Sequence, residues 1–257
     1  MMITYHPVIF VGAGPGDPDL ITVKGQRTLM DADVIVYAGS LVPEAVLKWA
    51  KPETVRLNSA SMHLGEIIET IKNAYLEGKR VVRLHTGDPS LYGAIFEQIA
   101  VLQENDIPYA VIPGVTAAFA AAAAIRMEYT LPEVSQTLIL TRMAGRTPVP
   151  DAENLASLAS HKSSLVIYLS ISMIDEVAAI LRDAYGENAG CVVAFRVSHP
   201  DEKIIHTKLD QLTTVVKEEN ITRQALIIVG KVLDVRTDTL IHKSKLYDKH
   251  FSHGFRE

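Results

Sequence analysis

The chain has 257 residues, of which 48% are hydrophobic and 21% charged, an ordinary globular balance that excludes a disordered or fibrous class. Its net charge is −5 and its pI near 6.0, the opposite of the basic footprint of a nucleic-acid binder. One cysteine, Cys191, rules out an internal disulfide and a paired-thiol zinc site, and its place before Val192, Val193 and Ala194 reads as a buried small hydrophobe.

The chain opens without a basic start followed by a long apolar run, so no secretory signal is expected. The longest apolar stretch, Val115 to Ile125, is shorter than the ~20 residues a membrane helix needs. A cytoplasmic location with no membrane partner is the resulting expectation.

In the first half, short β-rich runs alternate with helical patterns. Val8–Val11 reads as a buried strand, and Thr22 caps a helix reaching to Asp31, with Gly25 inside it. Strands follow at Val34–Tyr37 and Thr54–Leu57. His63–Glu77 carries Leu64, Ile67, Ile68 and Ile71 on one helical face and stops at Gly78. Arg80–His85 is a strand, Leu91–Asn105 a helix and Tyr109–Ile112 a strand. This alternation predicts a mostly parallel sheet with helices on both faces. Pro113-Gly114 breaks it, which sets an N-terminal α/β domain at 1–114.

The second half, 115–240, reads as another α/β domain. An alanine-rich helix covers Val115–Ala124, and helices cover Met173–Tyr185 and Leu209–Glu218. Strands are expected at Thr137–Leu140, Leu165–Leu169, Cys191–Phe195, Ile204–Thr207 and Ala225–Val229. The segment from Asp201 can pair with the strand before it as a hairpin, giving a mixed sheet. The polar tail, 241–257, carries no packing pattern.

Three segments carry chemistry. Gly12-Ala13-Gly14-Pro15-Gly16-Asp17-Pro18 follows the first strand, where a glycine-rich turn invites a dinucleotide reading. Pro15 removes a backbone donor, Asp17 repels a pyrophosphate, and Tyr37-Ala38-Gly39 lacks the acidic residue that holds a ribose, so a nicotinamide oxidoreductase is disfavoured. Thr86-Gly87-Asp88-Pro89 ends the fourth strand. There Gly87 allows close backbone approach, Asp88 can accept from ribose hydroxyls or simply cap, and Pro89 can open the next helix. Ile112-Pro113-Gly114-Val115-Thr116-Ala117 marks the domain boundary, a common place for small-molecule sites.

In this order, GAGPGDPDLIT, TGDPSLYG, IPGVTAA and ALIIVG resemble the tetrapyrrole (corrin/porphyrin) methylase family from Val8 to about Val232. That resemblance implies two α/β domains, a cofactor cleft between them, and S-adenosylmethionine as methyl donor. YAGSLVP, MHL, HTGDPSLYGAIFEQ, LTRMAGRTPVP and the tail LYDKHFSHGFR resemble the branch that methylates carbon 11 of precorrin-4 in cobalamin synthesis, with or without cobalt in the ring. The family's uroporphyrinogen methylases carry an Asp after the second strand and a Lys after the third. Here stand Ala38 and Asn58-Ser59-Ala60-Ser61, which disfavours that branch.

Carried over by motif, the resemblance puts Pro15, Thr86, Gly87, Asp88, Leu91, Thr116 and Ala117 around the cofactor, joined by Leu169, Val197, Ala225 and Leu226 from the second domain. The substrate ring bears many carboxylates, so Arg142 and Arg146, with His63 and His85 as further donors, are the substrate-binding candidates. No catalytic base is assigned and no protein-held metal is expected. A homodimer is implied. Another ring position, a protein or RNA substrate, and a non-catalytic corrinoid carrier stand as alternatives.

Overall fold

The computed structural model describes residues 4–235, 243–244, 251–252 and 254–255; most of the tail segment Leu246–Arg256 lies outside them. The chain forms two compact units, Met1–Ala120 with Ser198–Pro200, and Ala121–Val197 with Asp201–Glu257.

The first unit is built on β1 (Val8–Gly12), β2 (Val34–Tyr37), β3 (Val55–Asn58), β4 (Val81–His85) and β5 (Tyr109–Ile112). All four pairings are parallel, in the order β3-β2-β4-β1-β5. The connections use α1 (Val23–Asp31), α2 (Leu64–Leu76) and α3 (Ile95–Glu104). Strand alternation sends side chains to two cores. Val11, Ile35, Tyr37, Val82 and Leu84 pack with Leu29 of α1 on one face. Val8, Phe10, Val34, Val36 and Val81 pack with Ile67 and Ile71 of α2 and Leu102 of α3 on the other. The sheet is therefore doubly wound, as the alternating pattern predicts.

The second unit holds β6 (Leu138–Arg142), β7 (Ser164–Tyr168), β8 (Gly190–Phe195), β9 (Lys203–Lys208) and β10 (Ala225–Val229), in the order β6-β7-β10-β8-β9. Only β6 and β7 are parallel; β8 and β9 form the expected hairpin, so this sheet is mixed. Helices α5 (Leu155–Ala159), α6 (Ile174–Tyr185) and α7 (Leu212–Glu218) bury Leu155, Val177, Leu181 and Leu212 against Leu165, Ile167, Val193 and Ile227. The alanine-rich helix α4, which follows β5 and precedes β6 in the chain, covers Ala117–Ala124.

Several boundaries differ from expectation. The helix expected from Leu91 begins at Ile95, because Asp88 folds an Asx turn onto Ser90 and Tyr92 and Ala94 adopt left-handed backbone (φ 56° and 48°). Pro89 consequently does not open it. The helix expected from Leu209 begins at Leu212, while Leu209 is fully buried in the core. Thr54 stands before β3 and donates its hydroxyl to Ala32 O, and Leu169 stands outside β7. Short helices at Glu44–Trp49 and Leu155–Ala159 were not anticipated.

Candidate functional site

In an open parallel sheet, ligands sit at the carboxyl ends of strands where neighbouring connections leave toward opposite faces. Here that point lies between β1, which leads to α1, and β4, which leads to α3. The structure brings the three glycine-bearing motifs together at this rim. Ala13 N–H donates to His85 O (2.7 Å), and Gly14 and Gly87 exchange backbone bonds, Gly87 N–H to Gly14 O at 2.8 Å and the reverse at 3.3 Å. Both glycines have positive φ, 80° and 57°. A Cβ on Gly12 would stand 2.6 Å from Gly114 Cα, and one on Gly114 2.1 Å from Gly87 O. No side chain fits at Gly12 or Gly114, while Gly14 and Gly87 are required by their left-handed backbone.

Asp88 ties the second motif to the third. One carboxylate oxygen accepts from Ser90 N–H (2.8 Å) and Ser90 Oγ, the other from Gly114 N–H (2.9 Å). Burial alone would raise its pKa, but the bonds from Ser90 Oγ, Gly114 N–H and Ser90 N–H outweigh burial and hold it below the usual carboxylate range. Thr116 (8% exposed), half-buried Ala117 and Leu91, and buried Pro15 complete the rim.

His85 is buried behind this rim with its ring stacked on Phe10, and among the described residues its Nε2 has no hydrogen-bond partner. Burial, then the nearby Arg83 charge, pushes its pKa down to about 3, so the imidazole is neutral. His63 stands apart, after β3 at the sheet's edge. It caps α2: Nδ1 accepts from Glu66 N–H (3.3 Å) while Glu66 Oε2 accepts from His63 N–H (2.9 Å).

One residue absent from the sequence-based candidates is buried at a hydrogen-bonded junction elsewhere in this unit. Arg83, 5% exposed, donates to Gln98 Oε1 (3.0 Å), Ser59 Oγ (3.0 Å) and Val36 O (3.2 Å). Burial lowers its pKa to about 10, which leaves it charged at neutral pH. It joins β2, α3 and the Asn58–Ser61 loop; the signal was an arginine at an inward position of a strand.

In the second unit, Arg142, Leu169, Val197 and Ala225 share one edge of the sheet. Arg142 ends β6 beside Tyr168, and the antiparallel register of β7 and β10 carries Leu169 opposite Ala225. Val197 follows β8, whose Phe195 pairs with Ala225. Val197, Ala225 and Leu226 are buried, but Leu169 is 62% exposed and left-handed (φ 53°). An exposed leucine in strained backbone is typical of binding positions. Arg142 spends its guanidinium on Thr147 O (3.1 Å) and Pro148 O (2.7 Å), folding the loop that carries Arg146. Arg146 is exposed, and among the described residues its guanidinium has no hydrogen-bond or ion-pair partner.

Among the described residues no cluster of three or more His, Cys, Asp or Glu side chains could hold a metal ion, and no helix is long and apolar enough to cross a membrane. A doubly wound sheet with a glycine-lined rim at its crossover, followed in the chain by a unit with a mixed sheet, defines an α/β protein of two units.

The sequence model of the Tetrapyrrole (Corrin/Porphyrin) Methylases matches residues 7–213, and the chain belongs to that family. It is 50% identical over 251 residues to the cobalt-precorrin-4 C(11)-methyltransferase of Methanocaldococcus jannaschii, covering 97% of this chain and 96% of the relative. The crystal structure of a cobalt precorrin-4 methyltransferase, a cobalamin biosynthetic enzyme, is similar with a TM-score of 0.86 and 44% identity, covering 89% of this chain and 96% of that one. A uroporphyrin-III C-methyl transferase from Thermus thermophilus, complexed with S-adenosylhomocysteine, matches with a TM-score of 0.72 and 27% identity, covering 90% of this chain and all of that one.

Proposed function

We propose that this chain transfers the methyl group of S-adenosylmethionine to carbon 11 of cobalt-precorrin-4, in cobalamin synthesis. The observation that carries the reading is the meeting of the three family motifs at one strand rim, locked by the Gly14–Gly87 bridge and the Asp88–Gly114 bond. Adenosylmethionine, when bound, supplies an electrophilic methyl group on a sulfonium.

The residues present suit that ligand. Gly87 offers open backbone: a Cβ there would meet nothing closer than Thr116 Cα at 3.7 Å. Leu91 and Ala117 supply apolar wall, and Leu169, Val197, Ala225 and Leu226 are the corresponding candidates of the second unit. Asp88 acts chiefly by shaping the rim, since three donors already occupy its carboxylate. Arg146 is a cation available to a ring carboxylate, and Arg142 holds its loop. His63, as an exposed helix cap, and His85, as a buried neutral ring, serve the substrate less directly than their residue type alone implies.

These groups promote reaction by position; holding reactants in line contributes up to ~7–11 kcal/mol in favourable cases. His85, at a pKa of about 3, is a poor proton acceptor at neutral pH, and no base is assigned. The reading extends to a cytoplasmic homodimer acting on a small tetrapyrrole.

The test is transfer from methyl-13C adenosylmethionine to cobalt-precorrin-4 and to the metal-free ring, read by NMR. Label on carbon 11, with release of S-adenosylhomocysteine, is the expected result. Label on another carbon keeps the chemistry and overturns the position. Tetrapyrrole binding without homocysteine-product release identifies a carrier instead.

A further inference from the structure

The loop Gly14–Asp17 is anchored at both ends. Gly14 pairs with Gly87, and Asp17 caps the turn Pro18–Leu20 through Asp19 N–H (2.8 Å), while Trp49 Nε1 donates to Pro18 O (3.1 Å). Between the anchors stand Pro15, which has no N–H to give, and Gly16, which has no side chain. Gly16 is buried all the same. What covers it comes from far along the chain. A Cβ on Gly16 would lie 2.4 Å from His199 Cδ2 and 2.7 Å from its Nε2, so the imidazole fills the volume that any side chain at position 16 would need. The neighbouring residue reinforces the contact: Asp17 N–H donates to Ser198 Oγ at 2.9 Å, across 181 positions of sequence. Ser198 adopts left-handed backbone to do so (φ 65°), strain that a non-glycine residue carries only when its surroundings hold it. Ser198–Pro200 accordingly belong to the first unit, although the strands on either side belong to the second.

We propose that His199 is a positioning residue, its ring setting the Pro15–Gly16 backbone in the geometry that receives the cofactor, with Ser198 as the hydrogen-bonding half of the same clamp. The proposal rests on the reading that this loop holds adenosylmethionine. The contact on which it rests is the ring's bulk against Gly16, which phenylalanine retains.

The test is calorimetric titration of S-adenosylhomocysteine into the full-length protein and its variants, with melting temperatures measured alongside. His199→Ala should weaken binding about tenfold, the effect of losing one well-packed contact. Gly16→Ala should weaken it similarly by displacing the ring. The double variant should bind no worse than either single one, since both act on one contact. His199→Phe should return to within about threefold of the parent. Parent-like affinity in His199→Ala, additive losses in the double variant, or a His199→Phe as weak as the alanine variant would each overturn the clamp. Failure of the unaltered protein to bind S-adenosylhomocysteine would instead overturn the function proposed above.

Discussion

His85 shows how burial can change the meaning of a residue picked out by type. Its position before Thr86-Gly87-Asp88 makes it a natural donor, yet it is 4% exposed, stacked on Phe10 at 5.9 Å, and its Nε2 is unpartnered among the described residues. Its pKa falls from 6.5 to about 3, with burial the main cause and Arg83 the second. The consequence for stability has a definite sign. Between pH 6.5 and 3 the unfolded chain takes up a proton that the folded chain refuses. Stability is therefore intact above pH 6.5 and falls as the pH drops through that window, by about 1.4 kcal/mol per pH unit at most. His85→Phe keeps a ring on Phe10 and removes the proton site. Its urea-unfolding free energy should decline less steeply than the parent's between pH 6.5 and 4. Parallel curves for the two proteins would refute the buried neutral state. Asp88 is the opposite case: its residue type suits both ribose contact and capping, and its carboxylate is bonded to Ser90 and Gly114.

Among the elements, α2 was readable because two independent signals agreed, an apolar face at helical spacing and the stop at Gly78. Its start rests on a reciprocal capping box between His63 and Glu66. His63→Ala should cost about 1 kcal/mol in unfolding free energy, and His63→Asn should retain most of it, since asparagine is a strong cap. An alanine variant as stable as the parent would show that solvent already serves the helix end. The start of α3 at Ile95 differs from its helical pattern for the complementary reason. Tyr92 and Ala94 take left-handed backbone that their residue types do not announce, so the helical pattern ran on into a strained turn. The Glu44–Trp49 turn and α5 are too short to show a period at all. The carboxyl rim was legible because backbone crowding at Gly12 and Gly114, and left-handed backbone at Gly87, are both met by glycine. Arg83 was not, because its partners Val36, Ser59 and Gln98 lie on three separate elements.

Taken as a molecule, the chain spreads its apolar residues over two sheets, each packed with its own helices, and this much follows from the order of strands and helices. What local pattern cannot show is a contact such as Asp17 to Ser198, which only the folded chain brings together. The single thiol offers a probe of the second core. Cys191 is 2% exposed and lies in the cluster that includes Leu181, Val193 and Ile227. Burial, followed by the charges of Asp210 and Asp234, pushes its pKa up to about 12, so the reactive thiolate is scarce in the folded state. Labelling by a disulfide reagent should therefore proceed only through opening of that core. Leu181→Ala, which empties a fully buried site in the same cluster, should cost about 2–5 kcal/mol. Since each 1.4 kcal/mol is a factor of ten in the open population, labelling of this variant should accelerate at least tenfold where reclosing outpaces reaction. A parent thiol that reacts as fast as a free cysteine, or a Leu181→Ala rate equal to the parent's, would show that Cys191 is reached without opening the core around it.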